Sequence, residues 1–364
     1  MRGLIRTGAL IGAALSILLA PAGPGTAAER LRFALGLPPT HPVSMAARDW
    51  ALSVEAEAPG ALAIELESAG ATPSSGQFDR VSTGAVDLAL VNPGLEPDRF
   101  PVAATFQIPL TIGDARQATR ALDPWYRAHA PGELPRTRFC LLFFQDPATL
   151  HATRRIARPD QLRGLRVRAV NQVLARHLNL MGAVQRPVPV HAAREAFDRG
   201  ELDAIAFPFG SLFVFGIERK ARYHLDLPLH ASSYFLVINN ERFERLPAKS
   251  RAALDSHCTT GWAARIADGW ARLEATGRER IGRTGEQHLV RLDEAEREAW
   301  LRSVEPLRLQ WAERLRERGG NPGQMLGEMR AALAAHEADF DAWVRRRQLE
   351  EETALERPAA SARR

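Results

Sequence analysis

Hydrophobic and polar positions follow a regular order along the first part of the chain. The pattern predicts strands at residues 31–35, 61–66 and 84–91 and helices at residues 43–58 and 75–83. In the first helix, Val43, Trp50 and Val54 fall near one face, which is the spacing of an amphipathic helix. The last strand is a continuous apolar run, as expected of a parallel strand that is covered on both faces. We therefore predict a strand–helix–strand–helix–strand unit.

The same order of elements recurs in the middle of the chain. Here the pattern predicts a strand at residues 165–169, a helix at 171–181, an extended segment at 187–190, a helix at 192–199 and a strand at 200–207. Asn171 is positioned to cap the first of these helices. Both units end in a Gly-x-x-Asp turn before an apolar strand, at Gly84 and at Gly200. Since glycine can end a helix and aspartate can accept turn N–H groups, we interpret Asp87 and Asp203 as structural.

Two such units predict an α/β fold of two lobes with a cleft between them. Beyond residue 243 the pattern becomes helical, and we expect its tryptophans to pin a helical layer onto the lobes. The predicted division is lobe I at 29–150 with a return segment at about 236–250, lobe II at 151–235, a helical layer that spans the lobes at 251–342, and a charged, flexible tail at 343–364. Ligands of open α/β sheets bind beyond the carboxyl ends of the strands, so the loops there are candidate binding loops.

The first 28 residues have the order of a secretory signal peptide. A short basic stretch at residues 1–6 precedes an apolar run at 7–20 and a Pro/Gly-rich break at 21–28. The apolar run is shorter than the roughly 20 residues that a membrane-spanning helix needs, and a retained anchor is the alternative. We therefore predict a periplasmic protein that does not span the membrane once the signal is removed.

The charge pattern argues against a nucleic-acid-binding protein. The chain has 48 Lys and Arg against 43 Asp and Glu, and the acidic residues are interleaved with the arginines. No basic block with aromatic residues between the charges is present in the sequence. The net charge of +5 could attract anionic ligands or could merely reflect an arginine-rich surface, and the sequence favours neither.

Two cysteines, Cys140 and Cys258, leave two states open. Export would permit a disulfide between them. Cys140, however, lies in the apolar run at 139–144, which we interpret as a buried strand. We therefore expect a buried, inert thiol rather than a disulfide.

Sequence motifs for catalysis and metal binding are missing. The chain contains no Gly-x-Ser-x-Gly, no His-Glu-x-x-His and no Cys-x-x-Cys. We therefore expect no catalytic residues, no metal site and no cofactor.

A set of short motifs in a fixed order carries a family resemblance. The motifs are Leu-Pro-Pro-Thr-His-Pro at 37–42, the segment 78–90, Phe-Gln-Ile-Pro-Leu at 106–110, the segment 158–168, Gly-Glu-Leu-Asp at 200–203, Phe-Leu-Val-Ile-Asn-Asn at 235–240 and Phe-Glu-Arg-Leu-Pro at 243–247. Together they resemble the substrate-binding subunit of tripartite ATP-independent periplasmic (TRAP) transporters, the DctP-like family, over roughly residues 30–340. The resemblance implies a two-lobed, periplasmic-binding-protein-like fold that captures a small organic acid by lobe closure and passes it to the membrane subunits of a transporter.

The resemblance also implies which residues contact the ligand. It identifies Arg168 as the arginine that pairs with the substrate carboxylate, and a planar guanidinium suits a carboxylate in two parallel hydrogen bonds. Arg166 lies on the same face of the predicted strand, so the local pattern alone does not choose between the two. Asn92 occupies a position where relatives place a polar ligand contact, and an ordinary Asn-Pro-Gly turn is the alternative. His41 either lines the rim of the cleft or only caps the helix that follows it.

The chain departs from the family pattern at two places. The stretch 146–151 lacks the second arginine that sialic-acid-binding members carry, and Phe207 stands where many relatives have an asparagine. With Tyr234 added, these residues indicate a ligand with one carboxylate and an apolar or aromatic body. Phe213 and Phe215 could equally well belong to the core of the lobe.

Two alternatives to a transporter subunit remain at this point. A periplasmic ligand sensor on the same fold would bind ligand but dock to a signalling partner. A periplasmic enzyme is less favoured because of the missing motifs, and the order of the motifs disfavours an ABC-type binding protein.

Overall fold

A computed structural model describes residues 28–67, 75–283 and 285–356. The predicted signal peptide, apart from its last residue, lies outside the described residues. The described strands are β1 Glu29–Ala34, β2 Leu62–Glu67, β3 Leu88–Val91, β4 Thr137–Phe144, β5 Thr149–Ala152, β6 Arg166–Arg168, β7 Val184–Gln185, β8 Ala204–Phe207, β9 Tyr223–Leu225, β10 Ser233–Asn239 and β11 His288–Val290. The described helices are α1 Pro42–Glu57, α2 Gln77–Ser82, α3 Ala103–Phe106, α4 Ala115–Glu133, α5 Gln172–Leu180, α6 Ala193–Asp198, α7 Phe209–Phe215, α8 Asn240–Arg245, α9 Ala248–His257, α10 Thr260–Arg283, α11 Glu294–Ser303, α12 Glu305–Glu317, α13 Pro322–Ala335 and α14 Phe340–Glu356.

The strands form two sheets, and we call each sheet with its helices a lobe. Lobe I has the strand order β2-β1-β3-β10-β4, and lobe II has the order β11-β9-β5-β8-β6-β7. In each lobe the repeated unit supplies parallel strands, and a later or earlier strand joins them antiparallel. The chain crosses between the lobes at 145–148 and at 226–232. These sheets confirm the predicted two-lobed α/β fold, and they place Tyr234, which the predicted division put in lobe II, on a strand of lobe I.

The repeated Gly-x-x-Asp turn has the same geometry in both lobes. Gly84 and Gly200 adopt φ values of 77° and 67°, which favour glycine because it has no Cβ. Asp87 Oδ2 accepts a hydrogen bond of 2.7 Å from the N–H of Arg32, and Asp203 Oδ2 accepts one of 2.8 Å from the N–H of Arg166. Each aspartate therefore satisfies a main-chain donor of the neighbouring parallel strand, in agreement with a structural role for both.

Helices that follow β10 cover both lobes. Leu254 of α9 and Trp270 of α10 belong to the core on one face of the lobe I sheet, and Met329 of α13 belongs to the core on the other. Trp300 of α11 and Trp311 of α12 are buried in the core of lobe II. The chain thus passes from lobe to lobe through a shared helical layer as well as through the two crossing segments.

A disulfide joins Cys140 and Cys258, so the expectation of a free buried thiol is wrong. Their Cα atoms are 4.4 Å apart, within the range that a disulfide needs. Cys140 lies on β4, and Cys258 is the C-cap residue of α9, which packs over that face of the sheet. The apolar run around Cys140 correctly indicated burial, but the contact with a helix end 118 residues away is not visible in a local pattern.

The C-terminal segment is helical where a flexible tail was predicted. Helix α14 runs to Glu356, and residues 357–364 lie outside the described residues. Phe340 is buried in the core of lobe II, and its ring lies 5.8 Å from that of Trp343. These two aromatic residues anchor the start of a helix whose remaining sequence is mostly charged. In the three described ranges, no helix has both the length and the apolar character needed to cross a membrane.

Candidate functional site

The two arginines of β6 have different environments. Arg166 makes a bidentate pair with Asp203, with hydrogen bonds of 2.9 Å from Nε and 2.8 Å from Nη2. Arg168 points into the protein, where its Nε donates a 3.1 Å hydrogen bond to the carbonyl of Val188. Its guanidinium carbon lies 5.6 Å from the centre of the Phe207 ring. Arg166 is therefore in an ion pair, and Arg168 is in none among the described residues, although the strand pattern could not distinguish the two.

The guanidinium of Arg168 has no carboxylate partner among the described residues. Burial lowers the pKa of Arg168 to about 10, and the neighbouring Tyr234 hydroxyl opposes this shift. The side chain stays charged at pH 7, so it is a desolvated cation without a carboxylate partner among the described residues.

Tyr234 and Asn92 lie beside this cation. Tyr234 is on β10, which pairs with β3, and Asn92 follows the last residue of β3. The Tyr234 hydroxyl hydrogen-bonds to the Asn92 side chain, and the charge of Arg168 also acts on it. Its ring stacks on that of Phe143 at 5.6 Å. Of the five predicted site residues, Arg168 and Phe207 are thus in contact in lobe II and Asn92 and Tyr234 in lobe I, with the charge of Arg168 acting on Tyr234 from the opposite lobe.

Asn92 has a second role at the same time. Its Oδ1 accepts a 3.0 Å hydrogen bond from the N–H of Gly94, so it also caps a 3-10 turn at Pro93–Leu95. Asn92 is therefore a turn-capping residue, as one of the two alternatives predicted, and a ligand contact for it stays a prediction.

The fifth predicted residue, His41, contacts different elements. Its Nδ1 accepts a hydrogen bond from the N–H of Val43 at the start of α1, and its ring lies 5.2 Å from that of Trp270. Burial lowers the pKa of His41 to about 4, so the ring is neutral at pH 7. These contacts agree with the helix-capping alternative, and a ligand contact for His41 stays a prediction.

A buried polar network next to the site was missed by the sequence reasoning. Asn171, predicted only as a helix cap, does cap α5 through a 3.0 Å bond from the N–H of Leu174 to its Oδ1. Its Nδ2 also donates to His230 Nε2 at 2.8 Å and to Gln107 Oε1 at 3.4 Å. Gln107 in turn donates to the Ser233 hydroxyl of β10. The only hint in the sequence was a glutamine inside the apolar motif at 106–110.

Comparison with known proteins decides the family. The family described as "Bacterial extracellular solute-binding protein, family 7" matches residues 33–314. The chain belongs to this family.

Several solved structures have the same fold as this solute-binding protein. A TRAP solute-binding protein from Rhodoferax ferrireducens, in complex with copurified benzoate, matches with a TM-score of 0.76 and 22% identity over 85% of this chain and 98% of that one. A TRAP protein from Bordetella bronchiseptica with bound mandelate matches with a TM-score of 0.74 and 22% identity over 84% and 99%. A marine metagenome TRAP protein specific for aromatic acids matches with 0.76 and 20% over 85% and 99%.

Two cavities of this solute-binding protein lie away from Arg168. One, of about 190 Å³, is lined by Trp311, Arg176 and Asp98 among others, and the second, of about 290 Å³, is lined by Phe209 and Glu274 among others. Neither cavity is lined by Arg168. Within the described part of the chain, no group of three or more His, Cys, Asp or Glu is arranged to hold a metal ion.

Proposed function

We propose that this solute-binding protein works in the periplasm, captures a small organic acid between its lobes, and delivers it to the membrane subunits of a TRAP transporter. The ligand has one carboxylate and an apolar or aromatic body. The observation that carries the proposal is the buried guanidinium of Arg168, which has no carboxylate partner among the described residues.

Binding of an acid would supply the charge that Arg168 lacks. A carboxylate can accept two parallel hydrogen bonds from a guanidinium, and a charged hydrogen bond is worth roughly 1.5–3 kcal/mol net. Arg168 also precedes the N-terminus of α5, where exposed N–H groups and the helix dipole favour an anion. A neutral ligand would leave the buried cation uncompensated, so the proposal favours acids over sugars or amines.

Aromatic side chains around the cation favour an apolar ligand body. Phe207 lies under the guanidinium, and Tyr234 is stacked on Phe143. Burial of an apolar ligand against such rings is worth roughly 25 cal/mol per Å². The Rhodoferax and Bordetella structures, which hold benzoate and mandelate, support this ligand class by analogy of fold.

Periplasmic location is supported by two independent features. The first 28 residues have the order of a signal peptide. The Cys140–Cys258 disulfide belongs to a compartment that is oxidising, because cytosolic thiols are kept reduced.

Thermal unfolding of residues 29–364 against a panel of acids tests the proposal. An acid at about 100 times its Kd raises the free energy of unfolding by roughly 2.7 kcal/mol, which is a clear melting shift. We expect shifts with benzoate, mandelate and related monocarboxylates, and none with benzyl alcohol or benzylamine, which have the same ring without the carboxylate. Stabilisation by the alcohol as large as that by the acid would contradict the assignment of a carboxylate ligand.

A further inference from the structure

Each of the two candidate ligand residues is followed closely by a residue that touches the opposite lobe. In lobe I, Asn92 is followed by Gly94, and in lobe II, Arg168 is followed by Asn171. A Cβ atom added to Gly94 would lie 2.9 Å from Asn171 Cγ and 2.8 Å from Gln107 Oε1. The turn that follows Asn92 and the turn that ends at Asn171 are therefore in direct contact. A ligand that draws Asn92 and Arg168 together also presses these two turns together.

We propose that the contact of Gly94 with Asn171 is the latch that holds the lobes closed, and that bound ligand engages it directly through Asn92 and Arg168. The inference rests on the proposed function, because it takes Asn92 and Arg168 to be ligand contacts. It assigns Asn171 and Gly94 as positioning residues, which act on affinity through closure and not by touching the ligand.

Glycine at position 94 is required by space and not by backbone conformation. Gly94 is not among the residues with positive φ, so an alanine could adopt its backbone angles without strain. The obstacles to a methyl group at this position are the side chain of Asn171 from lobe II and that of Gln107, which is bonded to Ser233 of lobe I. Gly94→Ala therefore perturbs the interlobe contact and also presses on Gln107 within lobe I.

The opposing side chains cannot easily move aside. Asn171 is held at both ends, because its Oδ1 caps α5 and its Nδ2 donates to His230. Gln107 is tied by its Nε2 to the hydroxyl of Ser233. A methyl group on Gly94 would therefore displace Gln107 within lobe I and would either break the bonds of Asn171 or push the lobes apart.

An ion pair beside this contact also joins the lobes. Asp98, in the loop that follows Gly94, accepts hydrogen bonds of 3.1 and 2.8 Å from Arg176 of α5. Arg314 of α12 contacts the same carboxylate, and Arg318 donates to the main-chain carbonyl of Asp98. Because Asp98 is well exposed, such pairs are worth roughly 0–1 kcal/mol and weaken with salt. We therefore take the Gly94 contact to define the closed arrangement of the lobes, and the ion pair to add only a small stabilisation.

Interlobe distances measured between two spin labels test the latch. Labels are introduced at Arg48 on α1 and at Leu180 on α5, which are both exposed and lie in different lobes. Each variant is measured without ligand and with benzoate, and the benzoate Kd is determined by calorimetry. The matched control is Gly132→Ala in lobe I, since Gly132 has no neighbour within 4 Å of an added Cβ.

Gly94→Ala should weaken benzoate binding by about tenfold or more and should abolish the benzoate-dependent shortening of the label distance, because the closed state that binds best is depopulated. Gly132→Ala should behave as the unsubstituted protein. A second change, Asn171→Ser in the Gly94→Ala background, keeps a helix-capping hydroxyl while it removes the obstructing amide, and should restore the shortening. Full closure of the Gly94→Ala single variant would overturn the latch.

Failure of the proposed ligand class gives a different result. If benzoate changes neither the melting temperature nor the label distance of the unsubstituted protein, acid binding of this class is refuted. The ligand-free proteins then decide the latch: a smaller short-distance population in Gly94→Ala than in Gly132→Ala supports it, and equal populations reject it.

Discussion

Replacing Arg168 by glutamine should affect ligand binding and ligand-free stability in opposite directions. The change removes the buried positive charge but keeps a side-chain donor near the carbonyl of Val188. If the guanidinium binds a carboxylate through two charge-assisted hydrogen bonds, its loss costs roughly 3–6 kcal/mol of binding free energy. This corresponds to an increase of about 10²- to 10⁴-fold in Kd.

Stability of the ligand-free protein should not fall, and we expect it to rise. Burial lowers the pKa of Arg168 to about 10, which corresponds to a cost on the order of 3 kcal/mol for keeping the charge in the folded state. The glutamine variant does not carry this cost, although it loses part of the packing of the longer side chain. A residue that lowers stability while it raises affinity has the profile of a functional residue.

Calorimetric titration with benzoate and thermal unfolding without ligand provide the two readouts. The matched control is Arg166→Gln, two residues away on the same strand, which should leave the Kd unchanged because Arg166 is paired with Asp203. Equal loss of affinity in both variants would mean that the strand as a whole is disturbed. Unchanged affinity in Arg168→Gln would remove this residue from the site and, with it, the main support for an acid ligand.

Four further predictions follow from the same contacts. In the unsubstituted protein, affinity for benzoate should be constant from pH 7 to 9 and should fall above the Arg168 pKa of about 10, because a neutral guanidine does not pair with a carboxylate. A benzoate Kd that stays constant up to pH 11 would count against Arg168 as the ligand contact. Phe207→Asn should weaken benzoate binding by roughly 1–3 kcal/mol because the ring contact is lost, and malate, a hydroxy acid, should gain relative to benzoate. An unchanged ratio of the benzoate and malate Kd values in calorimetry would exclude Phe207 from the site. Cys140→Ala combined with Cys258→Ala should lower the free energy of unfolding by up to about 5 kcal/mol, since the bond closes a loop of 118 residues, and equal denaturation midpoints with and without the bond would contradict this. Stability should be greatest near pH 6.5. Buried histidines with lowered pKa values stabilise the folded state above pH 6.5, and this contribution is lost as the pH falls through about 4. Buried carboxyls with raised pKa values stabilise it at low pH, and this contribution is lost as the pH rises through about 7 to 8. The histidines are His41, His177 and His224, together with His230, whose pKa is lowered to about 3, and His151, whose pKa burial also lowers. The carboxyls are Glu133, Asp146 and Glu274. Melting temperatures measured from pH 4 to 9 check this, and a monotonic profile would refute it.

Local regularities of the sequence were sufficient for the elements and their grouping. Apolar periodicity predicted β3 and α5, and the Gly-x-x-Asp turns at Gly84 and Gly200 correctly marked where the parallel strands begin. The N-cap role of Asn171 could also be read locally, because a capping side chain bonds to N–H groups only a few residues away. Such features depend on residues that are close together in the sequence, so the sequence alone is enough to predict them.

Three other features depended on residues far apart in the chain and were decided by the tertiary structure. Arg166 and Arg168 have the same strand pattern. Asp203, which directly precedes β8 beside β6, pairs with Arg166, whereas Arg168 has no carboxylate partner among the described residues. The Cys140–Cys258 bond needed the end of α9 to lie over β4. The contact of Gly94 with Asn171 exists only because two turns from different lobes meet. Periodicity reports which face of an element is buried, but it carries no information about which distant side chain lies opposite. That distant side chain is what pairs Arg166 and leaves Arg168 without a carboxylate partner among the described residues.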